Sequence, residues 1–358
     1  MLTGNKGEWS EIYALFKLLG DGKMYAGDGD LNRVANLVYP IISILRKEPV
    51  DDFSYTIDNT NVNIIDSKGN SITVVAVEFL NKANDLLKAI KTNTKTFAIP
   101  EIESFMNTIN SHSLKAKSTA KTDITIIIHD LRTGIQPVLG FSIKSRLGSP
   151  STLLNAGETT NFVYKVENSN LSSTEIERIN NIDSRQKLKD RITAIGNTGS
   201  TLRFVGTQKQ VFQNNLILID SMLPQILSSL LLLSAELGDS NLERLCEKLE
   251  ERNPLNFDTS TAHLYYNYKL KRLLVDIALG MMPGKIWNGI YEANGGYLVV
   301  KENGDVLCYH VYNRNEFEDY LLKNTKLETP STTKHKFGLI YQENGENFFK
   351  LNLQIRFI

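Results

Sequence analysis

Two short apolar runs near the middle of the 358-residue chain constrain the fold most strongly. They span residues 124–128 and 138–143, and the turn-forming Pro137 precedes the second run. Apolar, β-branched runs of this length between turn signals are typical of buried strands. The pattern predicts a β-hairpin with an acid, Asp123, at the edge of its first strand and a lysine, Lys144, at the end of its second.

The acid and the lysine are expected to meet across this hairpin, because cross-strand side chains lie only about 5 Å apart. A carboxylate can hold Mg²⁺, which stabilises charge on phosphorus-bound oxygens, while a lysine orients or deprotonates the attacking water. Asp123 and Lys144 therefore suggest metal-assisted phosphodiester hydrolysis in a cleft. The same spacing also fits a solvated surface pair without chemistry, and the spacing alone does not decide.

An N-terminal helix is predicted after Asn5, because apolar residues from Ile12 to Leu19 recur at helical spacing. Glu8 and Glu11 lie three residues apart and share a helix face. Glu11 is our candidate for a second metal-binding carboxylate. An acidic first turn that complements the helix dipole also accounts for both residues. We favour that explanation for Glu8, and for Glu11 both interpretations stay open.

Composition limits the classes of protein that the chain can represent. Forty Lys+Arg balance forty Asp+Glu, so DNA binding requires local patches of charge. Cys246 and Cys308, the only cysteines, lie far apart, which fits a reduced cytoplasm and gives no Cys-x-x-Cys zinc signature. We see no signal peptide. The longest apolar stretch, residues 216–237, is interrupted by Asp220 and Pro224, which favours a buried helix pair over a membrane span.

Candidate DNA contacts follow the second hairpin strand and close the chain. The segment after Lys144 is rich in hydroxyl and amide side chains, which contact phosphates, and Arg146 fits either a guanine or a surface ion pair. In a predicted closing strand, residues 350, 352, 354 and 356 alternate onto one polar face, which fits either solvent or DNA. The full set, including two residues from motifs described below, is Lys6, Arg146, Ser149, Asn155, Asn161, Gln354 and Arg356.

Several motifs bear a resemblance to known nucleases. Asp123 followed by Ser142-Ile143-Lys144 resembles the PD-(D/E)XK nuclease motif, and Lys6-Gly7 followed by Glu11 is similar to the leading helix of Holliday-junction resolvases. The blocks NKGEWSEIYALFKLLGDGKMYAGD, GFSIKSRLGSPSTLLNAGETTNF and FFKLNLQIRFI together resemble the HpaII restriction endonuclease family. These blocks lie near both ends and the middle, so the resemblance covers the whole chain.

The resemblance implies a type II restriction endonuclease that cleaves double-stranded DNA at CCGG with Mg²⁺. Asp123, Glu11 and the carbonyl of Ile143 would then hold the metal, and Lys144 would orient the water. Ser142 is a departure, because the superfamily usually has an acid at that position. A palindromic site implies a homodimer, with a monomer that nicks twice as the alternative. A junction-resolving nuclease and a non-catalytic DNA-binding protein are the competing functions.

The predicted architecture is α/β, with a PD-(D/E)XK-type mixed sheet flanked by helices and an additional helical and β region. We place the nuclease core at residues 1–196 and the region that completes the DNA cleft at residues 197–358. Helical spacing also predicts a second helix over residues 31–45, and alternation predicts a β-meander over residues 53–74. We expect a cytoplasmic protein with no membrane association.

Overall fold

The computed structural model describes residues 1–115, 122–131, 133–168 and 171–358. Their strands, in chain order, are β1 (Gly4–Asn5), β2 (Lys23–Gly27), β3 (Arg33–Lys47), β4 (Asp52–Asp58), β5 (Asn61–Ile65), β6 (Ser71–Val75), β7 (Thr96–Phe97), β8 (Ile124–Ile128), β9 (Val138–Ser145), β10 (Thr152–Leu154), β11 (Asn161–Glu167), β12 (Thr201–Thr207), β13 (Gly296–Val300), β14 (Val306–His310), β15 (Thr325–Leu327), β16 (Ile340–Glu343), β17 (Glu346–Asn352) and β18 (Ile355–Phe357).

The helices of the described residues are α1 (Lys6–Asp21), α2 (Ala76–Thr92), α3 (Pro100–Thr108), α4 (Ser173–Asn180), α5 (Lys187–Gly196), α6 (Gln210–Ile219), α7 (Leu223–Leu237), α8 (Leu242–Arg252), α9 (Tyr265–Leu279), α10 (Arg314–Lys323) and α11 (Thr332–His335). Helices and strands both occur along the whole chain, so its composition is α/β. The finer prediction of a PD-(D/E)XK-type sheet stays a prediction at this point.

The chain divides into two units by its internal contacts. The first unit contains Met1–Ser151 and Tyr291–Tyr320, and the second contains Thr152–Ile290 and Leu321–Ile358. Residues 152–196, which the sequence analysis placed in the nuclease core, belong to the second unit, and residues 291–320 return to the first. A single cut near residue 196 does not describe these units, because β13 and β14 pair with strands far earlier in the chain.

A nine-stranded mixed sheet, in the order β2-β14-β13-β9-β8-β3-β4-β5-β6, forms the centre of the first unit. Its pairs are antiparallel except β13 with β9 and β14 with β2. Because β2 also pairs with β3, six of the strands close into a ring, which the sequence analysis did not predict. The predicted hairpin is confirmed as the antiparallel pair β8 and β9, in which Ile124 lies opposite Phe141. The predicted meander is confirmed as β4 to β6.

Helix α1 begins as predicted and packs against this sheet. Asn5 and Glu8 form a capping box, since each side chain accepts a hydrogen bond from the other residue's backbone N–H. The helix ends at Gly22, whose left-handed backbone suits glycine. Trp9 and Phe16 are fully buried on the packed face, and burying such side chains contributes roughly 1.5–3 kcal/mol each. The cap and the apolar face together fix the direction in which Glu11 projects.

The second helix predicted over residues 31–45 is wrong, because the structure has the long strand β3 there. Pro40 lies inside the segment and would break a helix, whereas it is tolerated next to a shift in the pairing of β3. The β-branched residues of this segment, such as Ile41 and Ile44, also favour strand. Propensity therefore outweighs the helical spacing of the apolar positions.

The second unit has a four-stranded sheet, β12-β11-β17-β16, and a three-stranded sheet, β10-β18-β15. The closing strand predicted from alternation is wrong, because residues 346–352 and 355–357 pair in these two different sheets. No single helix among the described residues is long and apolar enough to cross a membrane. Helices α6 and α7 meet such a test only as a pair bent by 107°, and most of the apolar side chains of α7 are buried.

Gly296, the first residue of β13, tests how tightly the strand next to β9 is fitted. Its φ is +111°, and a Cβ added there would lie 2.0 Å from the carbonyl oxygen of Tyr309. We expect Gly296→Ala to lower the unfolding free energy by about 3 kcal/mol or more, because backbone must move. Gly69→Ala is the control, since Gly69 also has a positive φ but open space around it, and should cost about 1 kcal/mol. Equal losses in chemical denaturation would contradict this account.

Candidate active site

Asp123 lies where strand β8 begins and where its pairing with β9 stops. Its backbone N–H donates to the carbonyl of Phe141 at 2.9 Å, which completes the ladder. Its Oδ2 accepts hydrogen bonds from the backbone N–H of Ile143 at 2.7 Å and from the hydroxyl of Ser142 at 3.0 Å. The carboxylate therefore takes the place of the next backbone acceptor, and it is fixed beside the edge of β9.

The carbonyl of Ile143 faces the same gap as the Asp123 carboxylate. In a strand, alternate residues direct their backbone groups to the same neighbour, and the carbonyl of Phe141 is directed to β8. The backbone of Ile143, two residues on, is therefore also directed to the β8 side, where β8 no longer provides a donor. The predicted ligands Asp123 and Ile143 consequently lie beside each other.

Lys144 reaches Asp123 through Ser142. The ammonium donates to the Ser142 hydroxyl at 2.9 Å, and this hydroxyl donates to Asp123. The Lys144 Nζ also lies 4.9 Å from the ring centroid of Tyr297 on the neighbouring strand β13. Ser142 is only 3% exposed, so its hydroxyl is shielded from water, whereas Asp123 and Lys144 are half-buried. The structure brings together Asp123, Ser142 and Lys144, as the hairpin predicted.

Glu11 is half-buried on α1 and senses the charge of Asp123. Burial, as the larger effect, and the negative charge of Asp123 together raise the pKa of Glu11 to about 7. The positive charges of Lys115 and Arg46 lower this pKa in part. A buried carboxyl whose ionisation is disfavoured by a neighbouring carboxylate, as for Glu11 beside Asp123, is what a divalent cation would stabilise in its charged form. Glu11 and Asp123 thus fit one cation site.

The four predicted catalytic residues are divided between the two faces of the sheet. Ser145 on β9 forms a 2.7 Å hydrogen bond with Ser10 of α1, so Ile143 and Ser145 lie on the face covered by α1. Ser142 and Lys144 alternate onto the opposite face. A cleft of about 880 Å³ opens on the α1 side, and Glu11 and Ile143 line it, whereas Asp123 and Lys144 do not. The Ser142 hydroxyl bonds Asp123 from one face and the charge of Asp123 acts on Glu11 on the other, so Asp123 lies between the two faces. The joint action of Asp123 and Lys144 stays a prediction.

The donor set fits a hard divalent cation. Two carboxylates and a backbone carbonyl are oxygen ligands, which Mg²⁺ prefers, and Mg²⁺ usually retains several waters. The described residues contain no group of three or more His, Cys, Asp and Glu side chains close enough to hold a metal. A cation at this place would therefore depend on the Ile143 carbonyl and on water in addition to Asp123 and Glu11.

Of the three DNA contacts predicted in the first unit, two line the cleft and one does not. Lys6 and Ser149 line the cleft beside Glu11. Arg146 is half-buried in the bend that follows β9, where its backbone N–H donates to the carbonyl of Val300 at 2.9 Å. Its charge partly offsets the effect of burial, which raises the pKa of the buried Tyr320. Arg146 is not among the residues that line the cleft.

Two of the four predicted contacts in the second unit, Asn161 and Arg356, are engaged within the protein. Asn155 is exposed, and Gln354 is half-buried. Asn161 is fully buried. Its side-chain nitrogen donates hydrogen bonds to Gln208 and to the carbonyl of His335, and its side-chain oxygen accepts one from Asn352. Burial and these bonds argue against Asn161 as a DNA ligand. Arg356 lies 3.7 Å from Glu328 and donates to Thr152 at 3.4 Å, so an ion pair competes with any base contact.

Two further residues belong to the site by position. The ring of Tyr297 lies beneath Lys144, and Lys95 lines the cleft with a left-handed backbone at φ +59°. Tyr297 was part of a predicted strand, but one sequence contains no signal that this strand pairs with β9. Glu8 lies in the first turn of α1, as the favoured explanation requires, and its side chain also caps the helix and lies 3.5 Å from Lys115.

A carboxylate, a carbonyl and a second acid at a break between strands are the parts of a metal-dependent nuclease site. The model of the HpaII restriction endonuclease family matches residues 5–357. The chain is also 48% identical over 359 residues to the type II restriction enzyme HpaII of Haemophilus parainfluenzae, covering 99% of each chain. No solved structure matches the chain. The chain belongs to the HpaII restriction endonuclease family and is a type II site-specific deoxyribonuclease.

The raised pKa of Glu11 predicts how the stability of the metal-free protein depends on pH. The folded state binds this proton more tightly than the unfolded state, whose carboxyl titrates near 4.5. The resulting stabilisation is complete below pH 4.5 and is lost as the pH rises to about 7. A shift of this size corresponds to at most about 3 kcal/mol.

Glu11→Gln does not ionise, so in EDTA we expect this variant to be more stable than wild type above pH 7, with the difference vanishing near pH 4. Divalent cation added above pH 7 should stabilise wild type more than the variant. The exposed Glu302→Gln is the control and should follow wild type in both measurements. If the difference in unfolding free energy between Glu11→Gln and wild type were the same at all pH values, the desolvation of the Glu11 carboxyl would be contradicted.

Proposed function

We propose that this type II restriction endonuclease cleaves double-stranded DNA at CCGG by Mg²⁺-dependent hydrolysis, on a sheet of the PD-(D/E)XK type. The observation that carries the proposal is the position of Asp123, whose carboxylate caps the N–H of Ile143 where β8 and β9 separate. A divergence of two strands with an acid on one and an x-Lys sequence on the other is the feature that this superfamily shares with the chain.

Asp123, Glu11 and the carbonyl of Ile143 would hold the Mg²⁺. When bound, the cation supplies charge stabilisation at the scissile phosphate and favours ionisation of a water. The bonds from Ser142 and Ile143 hold the Asp123 carboxylate in one orientation. Glu11 completes the charge on the cleft side, and its half-buried position keeps competing water away.

Lys144 would orient the attacking water from the other side of Asp123. Its hydrogen bond to Ser142 and its place over the Tyr297 ring restrain the ammonium within reach of the metal ligands. Ser142 stands where the superfamily usually has an acid. In this chain it connects Lys144 to Asp123, and the missing negative charge is supplied by Glu11 from α1.

One DNA strand would lie along the cleft of the first unit. Lys6, Lys95 and Lys115 line it together with the hydroxyl of Ser149, and such side chains contact phosphates rather than bases. This places positive charge on the same surface as Glu11 in a protein with no net charge. The reading of the bases is left to other residues, with Arg146 and Arg356 as candidates.

The proposal of CCGG rests on membership of the HpaII family, with 48% identity along the whole chain to the relative of that name. We further propose that two copies act as a homodimer, because a palindrome presents the same half-site to each subunit. The cytoplasm is the compartment in which such an enzyme would meet DNA. The competing junction-resolving function has no observation in its favour beyond Lys6-Gly7 and Glu11.

The cleavage site can be tested with one plasmid of known sequence. We expect digestion in Mg²⁺ to give fragments whose mapped ends all lie within CCGG, and no cleavage in EDTA. Fragment ends at another sequence would refute the specificity while leaving the nuclease intact. Nicks at branched DNA alone would favour junction resolution.

The catalytic assignment predicts that Asp123→Asn and Lys144→Ala each reduce cleavage by at least about 10²-fold. Asp123→Asn keeps an acceptor for the N–H of Ile143, so the fold is preserved while the charge is lost. Binding to a CCGG duplex in Ca²⁺ should remain close to wild type. Lys47→Ala, an exposed lysine at the end of β3, is the matched control and should cleave normally. Turnover within tenfold of wild type in either site variant would refute the assignment.

A further inference from the structure

A second cavity lies within the second unit, and none of the residues proposed above as catalytic or metal-binding line it. Its volume is about 580 Å³, and it opens between α4, α5, α11 and the β16–β17 hairpin. Four cationic side chains and a single carboxylate are among the residues that line it, namely Lys187, Arg191, Lys336, Lys350 and Asp183. Because the whole chain has no net charge, this is a local excess of positive charge.

Two of the cations are already neutralised or fixed. Lys187 donates to Asp183 at 3.0 Å. Arg191 is only 5% exposed, and its guanidinium donates to the backbone carbonyls of Gly338, Asn180 and Ile182. Its Nε has no hydrogen-bond partner among the described residues. Arg191 thus holds the wall of the cavity in place and leaves a buried donor unsatisfied, which costs free energy unless a ligand or water meets it.

Lys350 differs from both. It lies on β17, half-buried, with its Nζ 4.5 Å from the ring centroid of Tyr341. No carboxylate among the described residues lies within ion-pair distance of it. Burial lowers its pKa, the more distant charges of Glu158 and Glu343 raise it in part, and the charge of Lys336 lowers it again. A cation kept partly away from water without an acidic partner is stabilised when an anion binds.

Lys336 lies at the mouth of the same cavity. Its side chain is 70% exposed and forms a 2.8 Å ion pair with Glu158, which contributes little in water. The residue has a left-handed backbone at φ +53° where α11 ends, which directs it away from the helix. An exposed lysine of this kind can exchange its carboxylate for a phosphate at small cost.

We infer that this cavity binds a backbone phosphate of the DNA substrate, with Lys350 and Lys336 as the charged ligands and Arg191 as the fixed donor beside them. Mixed ammonium, guanidinium and hydroxyl donors are the usual partners of phosphate oxygens. The contact is independent of sequence, so it contributes to affinity and orientation and not to the choice of bases. The inference rests on the action on DNA, and not on the assignment of Asp123, Glu11 or Lys144.

The test is the salt dependence of DNA binding, measured in Ca²⁺ so that no cleavage occurs. Lys350→Met keeps most of the aliphatic stem and removes the charge. We expect it to weaken binding to CCGG and to unrelated duplexes by the same factor and to lower the slope of log K against log salt by about one. Lys336→Gln, at an exposed position, should act in the same direction, and it keeps the test valid if Lys350→Met folds poorly.

Lys165→Met is the matched control. Lys165 lies on β11, the strand next to Lys350 in the same sheet, where it is ion-paired with Glu346 outside the cavity. Its loss removes the same charge but should leave the slope unchanged. Unchanged slopes in both Lys350→Met and Lys336→Gln would overturn the inference, as would equal losses in all three variants, which would indicate a general effect of charge.

Inorganic phosphate separates a DNA contact from a site for a small anion. If phosphate raises the melting temperature of wild type but not of Lys350→Met, while the DNA slope is the same for both, the cavity binds free anions only and the inference is wrong. Failure of the nuclease assignment would look different, because wild type would then bind DNA with a normal salt slope but would not cleave it.

Discussion

The bond from the N–H of Ile143 to the carboxylate of Asp123 is the interaction on which the candidate site depends. Strand β8 begins too late in the chain to provide a backbone acceptor for the N–H of Ile143 on β9. The Asp123 side chain supplies the missing acceptor. One carboxylate therefore completes the hydrogen bonding at the sheet edge and also provides a ligand for the proposed metal. Asp123 also connects the two faces of the sheet. Ser142 and Lys144 are hydrogen-bonded towards it from one face, and its charge raises the pKa of Glu11 on the other.

The proposed site would redistribute the acidic charge of the nuclease motif that the sequence resembles. In place of an acid on β9, the chain has the neutral Ser142 there and a half-buried glutamate on α1. Glu11 is placed by helix packing, because Trp9 and Phe16 are buried on the same helix and the Asn5–Glu8 cap fixes its start. An acid held by a packed helix is desolvated, and its pKa is therefore raised. A bound cation would lower that pKa again, so metal binding and folding are linked through this residue.

Much of the first unit followed from the sequence. The apolar runs and Pro137 predicted the hairpin, and the apolar residues at helical spacing after Asn5 predicted α1, because these signals are local. The strand β3 was mistaken for a helix, since its apolar residues happen to recur at helical spacing, although Pro40 gave the opposite signal. The return of β13 to pair with β9 left no local trace, so neither Tyr297 beneath Lys144 nor the closure of the ring could be predicted. For the same reason no local signal showed that Asn161, a predicted DNA contact, is buried by residues distant in the chain.

The central claim is that a divalent cation binds between Asp123 and Glu11 with the carbonyl of Ile143 as a third ligand. Crystals grown with Mn²⁺, which accepts the same oxygen ligands as Mg²⁺, test it directly through an anomalous difference map. We expect one strong peak within bonding distance of the Asp123 carboxylate, the Glu11 carboxylate and the Ile143 carbonyl. A peak elsewhere in the first unit, with Asp123 bound only by Ser142 and Ile143, would contradict the account.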